Sequence, residues 1–442
     1  MTSVDPGAGR VPAPAPPADA DGVRDGLGAG LSEGPSDGLA EGAGERPAVA
    51  ADTPKSAPAR PPLDVRLAEG LLGLLGRITG RPRGLYQAAL LRIGFGGVFL
   101  ASLLREFLNR REIWGDQSPW SPDMARSMLR GLDGVSILLV RDERWWFELM
   151  FAVAVLATAL FVLGWHTRAM SVLFCVMVVS FNSRSLLMTD SGDTVLLLMS
   201  FYLMFTACGR VWSLDARRAR RTGLPRSPGP GHEWGVFVAL FAVVAAGLLL
   251  PWWASLAGAS IVLTGMWRLP LELEQLRAAL VAAMHHCALL VIAAQVCIIY
   301  AAAGLFKVQG KTWQDGTAMH YALNLEYFQP FPALSGVVDG GEVWGTALAY
   351  LTVFTQVGFA FLVFAKRAKY AVIAIMLGMH LGIAVLLGLP AFSAAMALGD
   401  LVFLPTAFLL FARAQGGRAG RWAGGRLRRR PGAEGAPRTL DA

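Results

Sequence analysis

The stretch VAAMHHCALLVIAAQVCIIYAAAGLFK, residues 281–307, decides the class of fold. Positions 281–305 carry no Asp, Glu, Lys or Arg, and about 20 apolar residues in a helix cross the ~30 Å hydrocarbon core of a bilayer. Lys307 stands where the run ends, within Tyr300-Ala-Ala-Ala-Gly304-Leu-Phe-Lys307-Val-Gln-Gly-Lys-Thr-Trp313-Gln-Asp-Gly316. An ionisable group at this depth is costly, which makes it a functional-site candidate. Lysine suits base chemistry, because desolvation favours the neutral amine. The structural alternative is a long side chain that snorkels to the interface.

The rest of the chain repeats the pattern. Of 442 residues, 54% are hydrophobic and 16% charged, against about 25% charged in soluble domains. The runs have helical length and lack the alternation of a barrel. The net charge of +8 comes from arginines beside apolar runs, as topology signals do, so it calls for no nucleic acid. Cys175, Cys208, Cys287 and Cys297 lie in apolar segments without a CxxC pair, which argues against a disulfide framework or a zinc site. The bias to Ala, Arg, Gly and Pro fits a GC-rich bacterial source.

Residues 1–62 are rich in Gly, Ala, Pro, Asp and Glu and hold no aromatic residue, a composition expected to be disordered. Residues 63–75 are expected to form an amphipathic surface helix. The tail 413–442 is Arg/Gly-rich and expected to be disordered against anionic headgroups. Between them lie about ten spanning segments: 85–107, 146–164, 169–187, 194–209, 234–251, 253–267, 281–305, 344–365, 370–389 and 392–411. The fifth and sixth, separated by Pro251-Trp252, also read as a re-entrant pair. With ten spans, Arg66, Arg77, Arg81, Arg83, the cluster Arg210 to Arg226, Lys366, Arg367, Lys369 and Arg428 to Arg430 all share one side. The positive-inside bias makes that side, and both termini, cytoplasmic in a plasma membrane. Loops 108–145 and 306–343 then face outward.

Loop 306–343 carries Trp313, Tyr321, Tyr327, Phe328 and Phe331, followed by Trp344. These read either as an aromatic belt at headgroup level or as a flat lining for a lipid-soluble ring such as a quinone. In the cluster Phe181 to Thr194, Arg184, Asp190 and Asp193 are placed to pair. Asp193-Thr194 reads as a helix start, or Asp193 as a carboxylate facing Lys307. Arg92, Gln295, Gln356, His380 and Asp400 are further intramembrane polar groups, and Gln356 is expected to meet His380. No His or Cys spacing, P-loop, Rossmann glycine pattern or nucleophile elbow appears, so no metal is expected.

In order, these pieces resemble the horizontally transferred transmembrane (HTTM) domain family, which includes vitamin K-dependent gamma-carboxylase. The matching residues are Arg92 with Gly94–Gly97; Gly164 and Arg168 in Gly-Trp-His-Thr-Arg; Asn182-Ser-Arg184; Ser191-Gly192-Asp193-Thr194; Trp212-Ser213-Leu214-Asp215; Tyr300 to Lys307 with Gly304; Trp313 with Gly316; and His380. They cover roughly residues 84–412, with 216–280 as an insertion carrying two spans. The carboxylase has Ala-Gly-Val-Lys-Lys before Trp-x-x-Gly, and its second lysine deprotonates vitamin K hydroquinone. The resemblance implies that role for Lys307. Where the carboxylase has Asn-Asn-His, this chain has Ser191-Gly192-Asp193, an aspartate common in bacterial members; Gln356 stands where those members often carry a glutamate.

The expectation is an all-α polytopic bundle with an outward-facing cavity. Lys307 would be the base acting on a quinol such as menaquinol or on a secreted peptide. Asp193 would orient it or relay its proton, with Trp313, Tyr321, His380 and Arg184 shaping the pocket. Arg92, Arg168, Trp212, Asp215, Gly304 and Gly316 would be structural. The alternative is a non-enzymatic membrane component for maturation, export or resistance of a secreted peptide. A small-solute transporter ranks last, for want of an inverted repeat.

Overall fold

The computed structural model describes residues 63–131, 136–222 and 273–415. The N-terminal tail 1–62, both segments 234–251 and 253–267, most of the 216–280 insertion and the tail beyond 415 lie outside the described residues. What is described is helical, with no strand. Among the described residues nine principal helices carry the fold: α1 Leu63–Thr79, α2 Leu85–Arg105, α3 Arg144–Leu163, α4 Thr167–Arg184, α5 Ser191–Met204, α6 Leu273–Gln309, α7 Glu342–Leu362, α8 Ala368–Leu386 and α9 Pro390–Asp400.

Among the described residues, five stretches are long and apolar enough to cross a membrane: Leu85–Arg105, Arg144–Leu163, Ala278–Gln309, Val343–Leu362 and Ala368–Leu386. Ser191–Met204 and Pro390–Phe403 are shorter apolar helices. The run 281–305 lies inside α6, whose 37 residues make a rod of about 55 Å at 1.5 Å per residue. The expected last span, 392–411, is not one helix. It breaks into α9, a 3-10 turn Leu401–Phe403 and a helix from Thr406, because Pro405 has no N–H to continue the ladder and restricts Leu404 before it. The surface helix expected over 63–75 runs on to Thr79, and it exposes Leu71, Leu72, Leu74 and Leu75.

Helix α9 packs against α2, α5, α6 and α8, which places it at the centre; α6 packs most extensively on α7, α2 on α3, and α4 on α5. Phenylalanines fill the space between α2, α3 and α4, with Phe161 stacked on Phe174 at 4.6 Å and Phe99 edge-on to Phe174 at 5.8 Å.

Contacts between helix ends sort the loops into two groups. At one end, Gln87 of α2 donates to Leu404 O at 2.7 Å, the Arg83 carbonyl meets His285 of α6, and Asp215 N donates to Gly164 O. At the other, Arg110 pairs with Glu148 at 3.0 Å, Ser185 donates to Ile113 O, and Gly192 packs on Phe392. The first end holds Arg83, Arg210, Arg217, Arg218, Lys366, Arg367 and Lys369; we call it the basic end. The second carries both signs of charge and includes Lys307.

Candidate functional site

Lys307 occupies the last turn of α6, half-buried, with Nζ 3.5 Å from Ala303 O and 5.2 Å from the centroid of the Trp313 ring. An ammonium over an indole face is a favourable cation–π contact. Trp313 is brought there by a tight turn at Gly310, where the Trp313 amide donates back to the Gly310 carbonyl, and by a four-residue helix, Lys311–Gln314. Gly316 closes the segment at φ 74°, and a Cβ there would meet Thr346 of α7 at 2.6 Å. Only glycine combines that backbone with that contact. Gly304, one turn before Lys307, admits α7: a Cβ on it would meet Val357 N at 2.8 Å and Gln356 Cβ at 3.2 Å.

The other expected site residues lie elsewhere. Asp193 forms a capping box at the start of α5, where its carboxylate accepts from Asp190 N at 3.0 Å and Asp190 accepts from Asp193 N at 2.9 Å. Among the described residues no ion pair joins it to Lys307. Arg184 does not pair with Asp190 or Asp193; it turns toward loop 106–143 and donates to Gly115 O at 3.2 Å. Asn182, two residues earlier, makes the link to α5 instead, by donating to Asp193 O. Tyr321 is 60% exposed and edges against His320. A groove of about 680 Å³ opens at this end, lined by Arg126, Val140, Arg141, Asp142 and Glu143, none of them an expected site residue. Arg126 bridges Asp123 and Asp142 there, and the bond to Asp142 pushes its guanidinium further up.

His380 is not partnered by Gln356, whose amide donates to Met379 Sδ at 3.6 Å. It meets Tyr300 of α6, Nε2 to hydroxyl 2.8 Å, and the same hydroxyl lies 3.1 Å from Asp400 Oδ2 at the end of α9. All three side chains are 2% exposed or less. His380 Nδ1, Asp400 Oδ1 and Gln356 Oε1 are buried without a partner. The sequence reading marked His380 and Asp400 as intramembrane polar groups but assigned no role to the Tyr300 hydroxyl. A phenol at the centre of an apolar helix, which must find a partner when buried, was the available signal.

Arg92, Arg168, Trp212 and Asp215 gather at the basic end, where they satisfy helix ends. Arg92, fully buried, donates from Nη1 to Phe161 O and Val162 O at 2.6 and 2.9 Å, and from Nη2 to Trp212 O at 2.7 Å. The first two are among the last carbonyls of α3, where a cation meets the helix dipole; Phe161 O also accepts from Gly164 N. Gly164 ends α3 at φ 71°; a Cβ there would come within 2.4 Å of Arg92 Nη1. Arg168 donates to Met204 O, the last carbonyl of α5, and to Thr206 O just beyond it. Asp215 accepts from His166 N, Thr167 N and Thr167 Oγ1, capping α4 from a distance. His285 accepts from Ala207 N on Nδ1, so it is the neutral tautomer that donates from Nε2 to Arg83 O. Neither it nor His286, bound to Ile78 O and Arg83 N, is free to act as a ligand.

Compared with family models, curated proteins and solved structures, the chain matches none. Among the described residues, no three His, Cys, Asp or Glu side chains gather as a metal set.

Proposed function

We propose that this chain is a multi-pass membrane enzyme of the HTTM, gamma-carboxylase-like kind. Lys307 is the base acting on a lipid-soluble quinol, and both termini lie on the cytoplasmic side of a bacterial plasma membrane. The observation that carries this reading is the placement of Lys307. Its amine is half-buried at the mouth of α6, the longest described helix, and has no carboxylate at ion-pair distance among the described residues. An amine so placed is open to serve as a base. The clustering of arginines at one end of the bundle supports the orientation.

A second reading is a non-enzymatic component for maturation, export or resistance of a secreted peptide, and the exposure of Tyr321, which was expected to line the quinol pocket, favours it. Quinol-dependent oxygen uptake by the purified chain in nanodiscs separates the two. Uptake with menaquinol that is lost in Lys307→Ala supports the base. No uptake with menaquinol or vitamin K hydroquinone sinks the quinol chemistry and leaves the peptide reading.

A further inference from the structure

We propose that Tyr300, His380 and Asp400 form a buried proton-relay site, in which the Tyr300 hydroxyl passes a proton between the Asp400 carboxyl and the His380 imidazole. The proposal stands on side-chain geometry and does not depend on the chemistry of Lys307.

A phenol has one proton to donate, yet this one has two partners, His380 Nε2 at 2.8 Å and Asp400 Oδ2 at 3.1 Å. Both contacts are hydrogen bonds only if one partner donates to the phenol oxygen. Two arrangements with equal numbers of protons satisfy this. In the first, the Asp400 carboxyl is protonated and donates to the phenol, which donates to the lone pair on His380 Nε2; the imidazole proton is on Nδ1. In the second, the Asp400 O–H bond has broken and a new O–H bond has formed on the phenol. The phenol's original O–H bond has broken in turn, and an N–H bond has formed on Nε2. Asp400 is then a carboxylate and His380 an imidazolium. Nothing is oxidised or reduced, and Tyr300 carries one proton before and after.

The chain of bonds also has open ends. His380 Nδ1 and Asp400 Oδ1, its two terminal atoms, are the ones buried without partners. Open termini are what a relay needs in order to take up and release its proton. Three helices supply the three groups, α6, α8 and α9, and Tyr300 is held by Phe359 of α7 at 4.6 Å and His380 by Phe392 at 5.8 Å between centroids. Tyr300 and Lys307 are seven residues apart on α6, two turns along one face and about 10 Å. Gln356, with its unpartnered oxygen, comes against Gly304 between them.

Few other titratable groups reach the site. On α6, Cys297 lies within electrostatic reach of Asp400. On α2, Arg92 is committed to carbonyls at the basic end, and on α5, Asp190 and Asp193 are committed to their capping box. Helix α7 presents the neutral Thr355 and Gln356, both buried.

The test uses the full chain in nanodiscs across a pH series. The carboxyl carbonyl stretch is followed by infrared absorption, assigned by its loss in Asp400→Asn, and the His380 ring by nitrogen-15 resonance, assigned with His380→Gln. The two groups titrate as a pair, so both signals step at the same macroscopic midpoints in the wild type. In Tyr300→Phe they separate by about one pH unit or more. Separate midpoints in the wild type, or wild-type curves retained in Tyr300→Phe, overturn the proposal. If Tyr300→Phe does not fold, the wild-type midpoints decide alone: coincidence supports the relay and separation overturns it.

Discussion

At the basic end, charged and polar side chains bind backbone: Arg92 to Phe161, Val162 and Trp212, Arg168 to Met204 and Thr206, Asp215 to His166 and Thr167. In the interior, Tyr300, His380 and Asp400 bind one another. Both regions hold intramembrane polar groups, and by sequence alone both attract the same functional suspicion. The partner separates them. A backbone carbonyl or amide has no second protonation state, so a side chain bound to it can only hold. A phenol, an imidazole and a carboxyl bound together can exchange.

Four measurements break or sharpen that contrast, and the largest effect is at the basic end. Arg92→Leu removes a charged donor from three carbonyls at once, for which about 3–5 kcal/mol is expected. A thermal-shift measurement in detergent should find the variant unfolded or strongly destabilised, and a melting temperature within a few degrees of wild type would mean that Arg92 does not hold the end together. Next comes Lys307→Ala, with quinol-dependent turnover expected to fall by about 100-fold or more, the contribution of a general base, at unchanged melting temperature. A parallel loss of stability would move Lys307 into the holding class. Asp215→Ala should cost about 1–2 kcal/mol, as removal of a helix cap does, with no change in any activity.

The smallest effect concerns Asp116, in the loop at the Lys307 end. A hydrogen bond from Arg111 at 2.6 Å holds its carboxyl below the usual range. A depressed carboxylate contributes stability in full above its unfolded value of about 3.9, and loses it as pH falls through the folded value. Wild type and Asp116→Asn should therefore differ slightly in melting temperature at neutral pH and converge in acid. Convergence already near pH 6 would contradict the ion pair.

Much of this fold was legible in apolar run length. The runs 85–107, 146–164, 281–305, 344–365 and 370–389 each correspond to a helix, because about 20 consecutive apolar residues have few other solutions in lipid. The run 392–411 misled because hydropathy does not register a missing N–H, and Pro405 decides the break. The partners of polar groups were not legible. Arg184 was expected near Asp190, six positions away, and found Gly115 instead. His380 was expected to meet Gln356 and found Tyr300. Such choices are fixed by which helix faces which, and neither spacing nor composition encodes that. The capping box at Asp190 and Asp193 was readable in part, being local.

The long-range caps also bear on how the chain is made. Ribosomes deliver residues in order, and the backbone bonds of Arg92 and Asp215 described above close within residues 92–215. When α5 has entered the membrane and Asp215 has left the exit tunnel, the first four long described helices and the turn after them already hold the backbone groups that Arg92 and Asp215 bind. Helix α6, synthesised later, brings His285 to these helices and places Tyr300 beside helices not yet synthesised. Nascent chains cut near residue 222 should accordingly leave the translocon as a protease-resistant unit, and chains cut before Trp212 should not.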